Sequence, residues 1–248
     1  MRILVACEES QAVTKELRKL RHDAYSNDIV ECSGGHPEWH IQKGTLEILN
    51  DGWDMIIAFP PCTYLSNAGA CRLYPTKGNI DEERYKKGLK GKEFFMAILN
   101  ADCPKIAVEN PVSSLAFEMP KCTQEIQPYH FGHPFSKKTR LWLKGLPELK
   151  YTNVVEKEGT FLPSSTSKNA YTGLNDKKTR DPKEASKTFL GIAKAMANQW
   201  GGYEEIAKDM YYKYKELCPV KYSFMWGQCS NEYKEAWIAE ARIFCLLT

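Results

Sequence analysis

Three short apolar runs, Ile3–Ala6, Asp54–Phe59 (DMIIAF) and Lys105–Glu109 (KIAVE), constrain this chain more than any other feature. Each is too short for a buried helix, each is rich in Ile or Val, and each ends at polar residues or proline. That is how a strand covered on both faces reads. Between the runs the period changes. Val13, Leu17 and Leu20 share one helical face, and so do Tyr85, Leu89, Lys92, Phe95, Met96 and Leu99. Strands alternating with helices predict βαβ units and a mostly parallel sheet, an α/β fold. Ala24–Asn27 and Arg140–Lys144 (RLWLK) add two more strands. Phe189, Ile192, Ala193, Met196, Ala197 and Trp200 then mark an amphipathic helix that Gly201-Gly202 ends.

Between the last strand and that helix the pattern lapses. Residues 153–186 are rich in Ser, Thr, Lys and Asn and show few periodic apolar positions, so they read as a loop or small subdomain. From Tyr203 the chain is rich in Tyr and Trp and reads as helical, split near Pro219. Charge is unevenly spread. Lys137–Lys187 holds twelve basic residues against six acidic, on a chain whose overall net charge is +3. One basic segment on a mildly acidic body points to a polyanion partner, with a solvated loop face as the alternative. KKTR occurs twice in that segment, at Lys137–Arg140 and Lys177–Arg180.

No apolar run is long enough for a membrane span, and MRILVACEES reads as a first strand rather than a signal peptide. The nine cysteines include no CxxC pair, so reduced thiols in a cytoplasmic protein are expected. Cys32, His36 and His40 have metal-like spacing. Gly34, Gly35 and Pro37 preclude a helix presenting both histidines, so a turn lining a crevice is the preferred reading and no metal is expected.

In a parallel sheet, ligands bind beyond the carboxyl ends of the strands. The residues there are Cys7-Glu8-Glu9-Ser10 after the first strand, Asp28 after the second, Pro60-Pro61-Cys62 after the third and Glu109-Asn110-Pro111 after the fourth. An acid after a second strand suits ribose hydroxyls. A thiol on a rigid Pro-Pro corner, with a carboxylate at the neighbouring strand end, suits a nucleophile paired with an acid.

These residues resemble the DNA (cytosine-5) methyltransferases. FPPCTYLS resembles that family's Pro-Cys motif, VENP its Glu-Asn motif, and FGHPFSKKTRLW its Phe-Gly-x-Pro segment with the Arg-x-Arg element after it. Ser26-Asn27-Asp28 resembles the ribose-binding segment, and Thr188–Trp200 the returning C-terminal helix. The motifs follow the family's order over residues 2–147 and 187–202, and the likeness is to small phage and prophage members.

The resemblance implies a Rossmann-like S-adenosylmethionine-dependent methyltransferase fold. It implies a catalytic domain over 1–147, a short basic recognition segment over 148–186, a returning helix over 187–202 and a helical extension over 203–248. It implies Cys62 as the thiolate that attacks cytosine carbon-6, Glu109 as the acid at ring nitrogen-3, and Arg140 and Lys138 in the basic places. S-adenosylmethionine would lie against Cys7, Glu8, Glu9, Ser10, Gln11, Asp28, Ile29, Gly44, Thr45 and Pro60. The implied partner is duplex DNA with a flipped cytosine.

The sequence departs from that family in three places. The usual Phe-x-Gly-x-Gly-Gly becomes Ala6-Cys7-Glu8-Glu9-Ser10-Gln11, leaving backbone amides near Ser10 and Gln11 for the methionine carboxylate and Glu8 and Glu9 for its ammonium. Gly44 and Thr45 stand where an acid for the adenine amine is common. The recognition segment is short, with Tyr151, Phe161 and Tyr171 among its basic residues. Three rivals stay open: an amino-methyltransferase, disfavoured by Phe59 before the prolines and Cys62 after them; a non-catalytic nucleic-acid-binding protein; and the same chemistry on RNA or a nucleotide.

Overall fold

The computed structural model describes residues 1–76, 78–160, 187–202, 204–217 and 225–247. In chain order, Met1–Trp200 contains β1 (Arg2–Ala6), α1 (Ala12–Lys19), β2 (Asp23–Asp28), β3 (His40–Gln42), α2 (Thr45–Ile48), β4 (Met55–Ala58), α3 (Ala70–Leu73) and α4 (Glu82–Leu99). It continues with β5 (Ile106–Pro111), β6 (Gln124–Ile126), β7 (Phe135–Ser136), β8 (Thr139–Lys144), β9 (Gly159–Thr160) and α5 (Leu190–Trp200). Seven strands form one sheet in the order β3-β2-β1-β4-β5-β8-β6. The first five pair in parallel, and β8 runs antiparallel to both β5 and β6. This is the mostly parallel, Rossmann-like sheet expected from the sequence, with one reversed strand, β8, between β5 and β6.

The three apolar runs are β1, β4 and β5, at the centre of the sheet, and both their faces are covered. On one face Ile3, Val5, Ile57, Ala107 and Leu141 meet Val13 and Leu17 of α1 and Ile192, Met196 and Trp200 of α5. On the other, Leu4, Ile56, Ile106, Val108 and Trp142 meet Phe95 and Ile98 of α4. Successive strand residues point to opposite faces, so a strand buried on both sides shows a continuous apolar run. The sequence reading missed β3 and β6. HIQ and QEI are polar and sit at the two sheet edges, where one flank faces no neighbouring strand.

Asp81 caps α4 by accepting from the Arg84 amide at 2.8 Å, and Glu82 and Glu83 favour its positive end. Its expected apolar stripe is divided between two clusters. Tyr85 and Leu89 lean on Leu65, Leu73 and Phe117, while Phe95 and Ile98 enter the sheet's core. Gly88 lies under the Phe117 ring. One helix serves two separate clusters because the turn after β5 packs on its first half.

Gly201–Thr248 is a second compact unit. Its helices α6 (Glu204–Leu217) and α7 (Asn231–Leu247) enclose Ala207, Tyr211, Trp226 and Ala241. Tyr211 is fully buried there, and burial, with Cys229 next in effect, pushes its phenol up to about 12. The break expected near Pro219, Phe161 and Tyr171 of the recognition segment, and the second KKTR lie outside the described residues. No helix among the described residues is long and apolar enough to cross a membrane.

Candidate functional site

The Pro-Pro corner holds Cys62 against the end of β5. Phe59 donates its amide to the Ala6 carbonyl at 3.0 Å, which keeps the chain on the sheet for one residue past β4. The Pro60 carbonyl then accepts from Asn110 Nδ2 at 3.1 Å. Beyond the prolines, the Cys62 carbonyl accepts the amides of Leu65 (3.0 Å) and Ser66 (2.8 Å), closing a tight turn. Two more bonds tie that turn to the segment after β5: Asn67 N to Val112 O and Ser114 N to Leu65 O, both 2.8 Å. Neither proline can donate, so they follow the strand without leaving an amide to satisfy.

Cys62 and Glu109 therefore share one edge, and each feels the other. Burial pushes the Cys62 thiol up, the Glu109 charge pushes it further, and Lys137 opposes both. Burial also lifts Glu109 above the usual carboxylate range, against Lys137 and a hydrogen bond with Thr139. The Thr139 hydroxyl also lies 3.2 Å from the Lys137 carbonyl. A carboxyl raised by burial beside a thiol sets an acid and a nucleophile at one edge.

Lys138 and Arg140 are placed elsewhere. Arg140 Nε donates to Glu125 Oε1 at 2.8 Å, and Lys138 Nζ lies 3.4 Å from Glu125 Oε2. The register explains this: Arg140 pairs across from Glu125, whereas Glu109 pairs across from Leu141. Adjacent strand residues face opposite ways, so Arg140 and Glu109 occupy opposite faces. The side chain that meets Glu109 from β8 is Thr139, and the cation whose charge reaches it is Lys137.

At the other half of the edge, Cys7, Asp28 and Thr45 come together. Thr45 Oγ1 donates to Asn27 Oδ1 at 2.7 Å and lies 3.5 Å from Cys7 Sγ, which leaves the thiol as donor. Burial drives Cys7 up to about 11, with Asp28 adding to the shift. Gly44 caps α2, its amide bonded to Glu47 at 3.1 Å. Ile29, at 74% exposure, stands free beside Asp28, and Leu46 is exposed next to Thr45. An acid flanked by exposed apolar side chains matches a nucleoside, with hydroxyls for the acid and a flat ring for the aliphatics.

The loop after β1, expected to meet the methionine end of the cofactor, is built differently. Glu8 is buried and accepts from Val13 N (2.6 Å), Thr14 N (3.2 Å) and Thr14 Oγ1 (2.8 Å). It caps α1 and has no oxygen turned outward for an ammonium. Gln11 is also buried, donating to Ser26 Oγ and the His36 carbonyl and accepting the His36 amide. Glu9 accepts the Ser33 amide through its carbonyl at 2.8 Å and through Oε2 at 3.1 Å. Cys7 (φ 57°) and Gln11 (φ 56°) both adopt the left-handed conformation. The loop keeps a glycine-like path without glycine.

Ser10 opens instead onto a cavity of about 420 Å³ with Lys15, Lys19, Ser33, Gly34 and Lys187, apart from Cys62. Lys15 there donates to the Gly34 carbonyl at 2.8 Å. His40 bonds Ser26 Oγ (2.8 Å) and the Val30 carbonyl (2.9 Å), His36 pairs with Glu38, and no metal-like cluster occurs among the described residues.

Lys137, Thr139 and Asn110 lie with this pair; Asn110 belongs to the Glu-Asn strand end read from the sequence, and Lys137 and Thr139 were not singled out there. Alternation along KKTRLW was the available signal, because Lys137, Thr139 and Leu141 fall on one parity and Lys138, Arg140 and Trp142 on the other. Leu141 and Trp142 are both buried, so the sequence does not say which parity faces Glu109.

No family model matches the sequence, and no curated protein matches it. Among solved structures, one similar in part is assigned as a DNA modification methyltransferase encoded within an E. coli prophage. The superposition has a TM-score of 0.36 at 12% identity, covering 57% of this chain and 45% of that chain. The match spans less than half of that protein's length. The fold assignment stands on the strand order and the reversed β8.

Proposed function

We propose that this chain is an S-adenosylmethionine-dependent methyltransferase acting on carbon-5 of cytosine in DNA. The observation that carries the reading is the Cys62–Glu109 pair, joined through Asn110 and the turn after Cys62. Carbon-5 of cytosine is a poor nucleophile. Cys62, once ionised, adds to carbon-6, and Glu109 gives a hydrogen bond or proton to ring nitrogen-3, so that the ring becomes an enamine. Once carbon-5 carries the methyl group, a base takes its proton and Cys62 leaves as the thiolate, which restores the ring. S-adenosylmethionine, when bound, supplies the electrophilic methyl group. Asp28 and the exposed Ile29 fit its nucleoside half by chemistry and exposure, whereas Thr45 is buried with its hydroxyl given to Asn27. A duplex substrate presents its cytosine only after flipping, and the basic residues that follow Arg140 suit the phosphates.

The test is incubation with methyl-labelled S-adenosylmethionine and, in parallel, duplex DNA, single-stranded DNA, RNA and free nucleotides. Label is expected in DNA as 5-methylcytosine and absent with Cys62→Ala. A methylated exocyclic amine, or full activity in Cys62→Ser, overturns the mechanism. The inward-turned Glu8 and Gln11 favour one second reading, a nucleic-acid-binding protein that does not turn over the cofactor. Calorimetry showing tight DNA binding and no heat with S-adenosylmethionine would establish it.

A further inference from the structure

We propose that Lys137, and not Lys138 or Arg140, is the cation that sets the charge balance of the Cys62–Glu109 pair. The inference rests on the reading of Cys62 as a nucleophile and deepens it.

Three observations place Lys137 there. Thr139 meets Glu109, and its hydroxyl lies 3.2 Å from the carbonyl of Lys137, two residues before it. The segment is held in place: the Lys137 amide donates to Gln127 Oε1 at 2.9 Å, and its ammonium stands over the Phe189 ring, 5.8 Å from the centroid. Its charge reaches both Cys62 and Glu109, whereas Lys138 and Arg140 are engaged with Glu125. Among the described residues, the charged groups that act on Cys62 are Glu109 from β5 and Lys137 from the segment before β8. Those facing Glu109 are Lys137 and, as an uncharged partner, Thr139.

The chemistry follows. Sulfur attacks as a thiolate, and here burial and Glu109 both oppose its formation. Lys137 is the opposing charge on that face. It acts through Cys62 and Glu109, as a positioning residue. Lys137 also limits how far Glu109 rises, so it lowers both partners in the same direction.

The test reads Cys62 directly. The full chain is treated with iodoacetamide over a range of pH, and the alkylation rate of the Cys62 peptide is followed by mass spectrometry, since other free thiols are present. In Lys137→Met the reaction is expected to slow about threefold to tenfold at a pH below the thiol's titration, with the midpoint moved upward. Lys137→Arg is expected to stay within about twofold of wild type, and Lys121→Met, an exposed charge removed elsewhere, to leave the profile unmoved. Lys137→Gln keeps a polar side chain without the charge and replaces the methionine variant if that chain does not fold.

A Lys137→Met profile that superimposes on wild type overturns the proposal. So does a folded Lys137→Arg that is as slow as Lys137→Met. Alkylation needs neither cofactor nor nucleic acid. A chain that methylates nothing can still show the Lys137 effect, and a chain that methylates normally without it overturns Lys137 alone.

Discussion

Single side chains decide the chemistry through their surroundings. Glu8 is a carboxylate enclosed at the start of α1, and burial raises it from the ordinary 4.5 to about 7. The neutral form is tolerated because a protonated Glu8 can donate to the Thr14 hydroxyl that otherwise donates to it. The folded state therefore holds its proton longer than the unfolded chain does. Its contribution to stability is full below about 4.5 and is lost as pH rises through about 7. Urea unfolding at several pH values should show this slope in wild type and its absence in Glu8→Gln. That variant should also be about 1–3 kcal/mol less stable at low pH, because an amide NH₂ would face the Thr14 or Val13 amide. At the proposed reaction centre, Glu109→Gln should reduce methyl transfer about 100-fold. It should also speed Cys62 alkylation, since the charge that opposes the thiolate is gone. An unchanged alkylation rate would separate the two residues.

At the scale of elements, the central strands and the two flanking helices that bury them were legible as β1, β4, β5, α1 and α5, because burial on both faces leaves a run of Ile and Val. The edge strands β3 and β6 were not, because polar sequences pair there through backbone alone. α4 was found but its stripe was misjudged: Phe117, from the turn after β5, presses on Gly88. A Cβ at Gly88 would overlap that ring. Gly88→Ala gains helix propensity of about 1 kcal/mol, but displacing a buried aromatic costs about 1–3 kcal/mol. The net expectation is a lower urea midpoint. Slower methyl transfer should accompany it, because Ser114 of the same turn is bonded to Leu65 behind Cys62. A raised midpoint would mean that the ring moves without cost.

At the scale of the whole molecule, the core on both sheet faces lies within Met1–Trp200, and Gly201–Thr248 has its own small core around Tyr211 and Trp226. A chain ending at Gly202 should therefore unfold cooperatively, with near-wild-type far-ultraviolet ellipticity per residue for its sheet and helices. A molten, non-cooperative transition would show that the second unit supports the first. Methyl transfer by the shortened chain would place the reaction wholly in Met1–Trp200.

The sequence alone determined the layering. Alternating short Ile/Val runs and helical stripes admit little besides a parallel sheet between helices, and the residues after each strand must then share one edge. That placed Cys62 beside Glu109 and Asp28 beside Cys7. Tertiary structure decided which way side chains turn at that edge. Register sent Arg140 to Glu125 and brought Thr139 to Glu109, and packing turned Glu8 and Gln11 inward. The physical reason is that composition and period fix what is buried. Which of two buried faces receives a side chain depends on a cross-strand partner distant in sequence, as Glu125 and Glu109 are from the residues of β8.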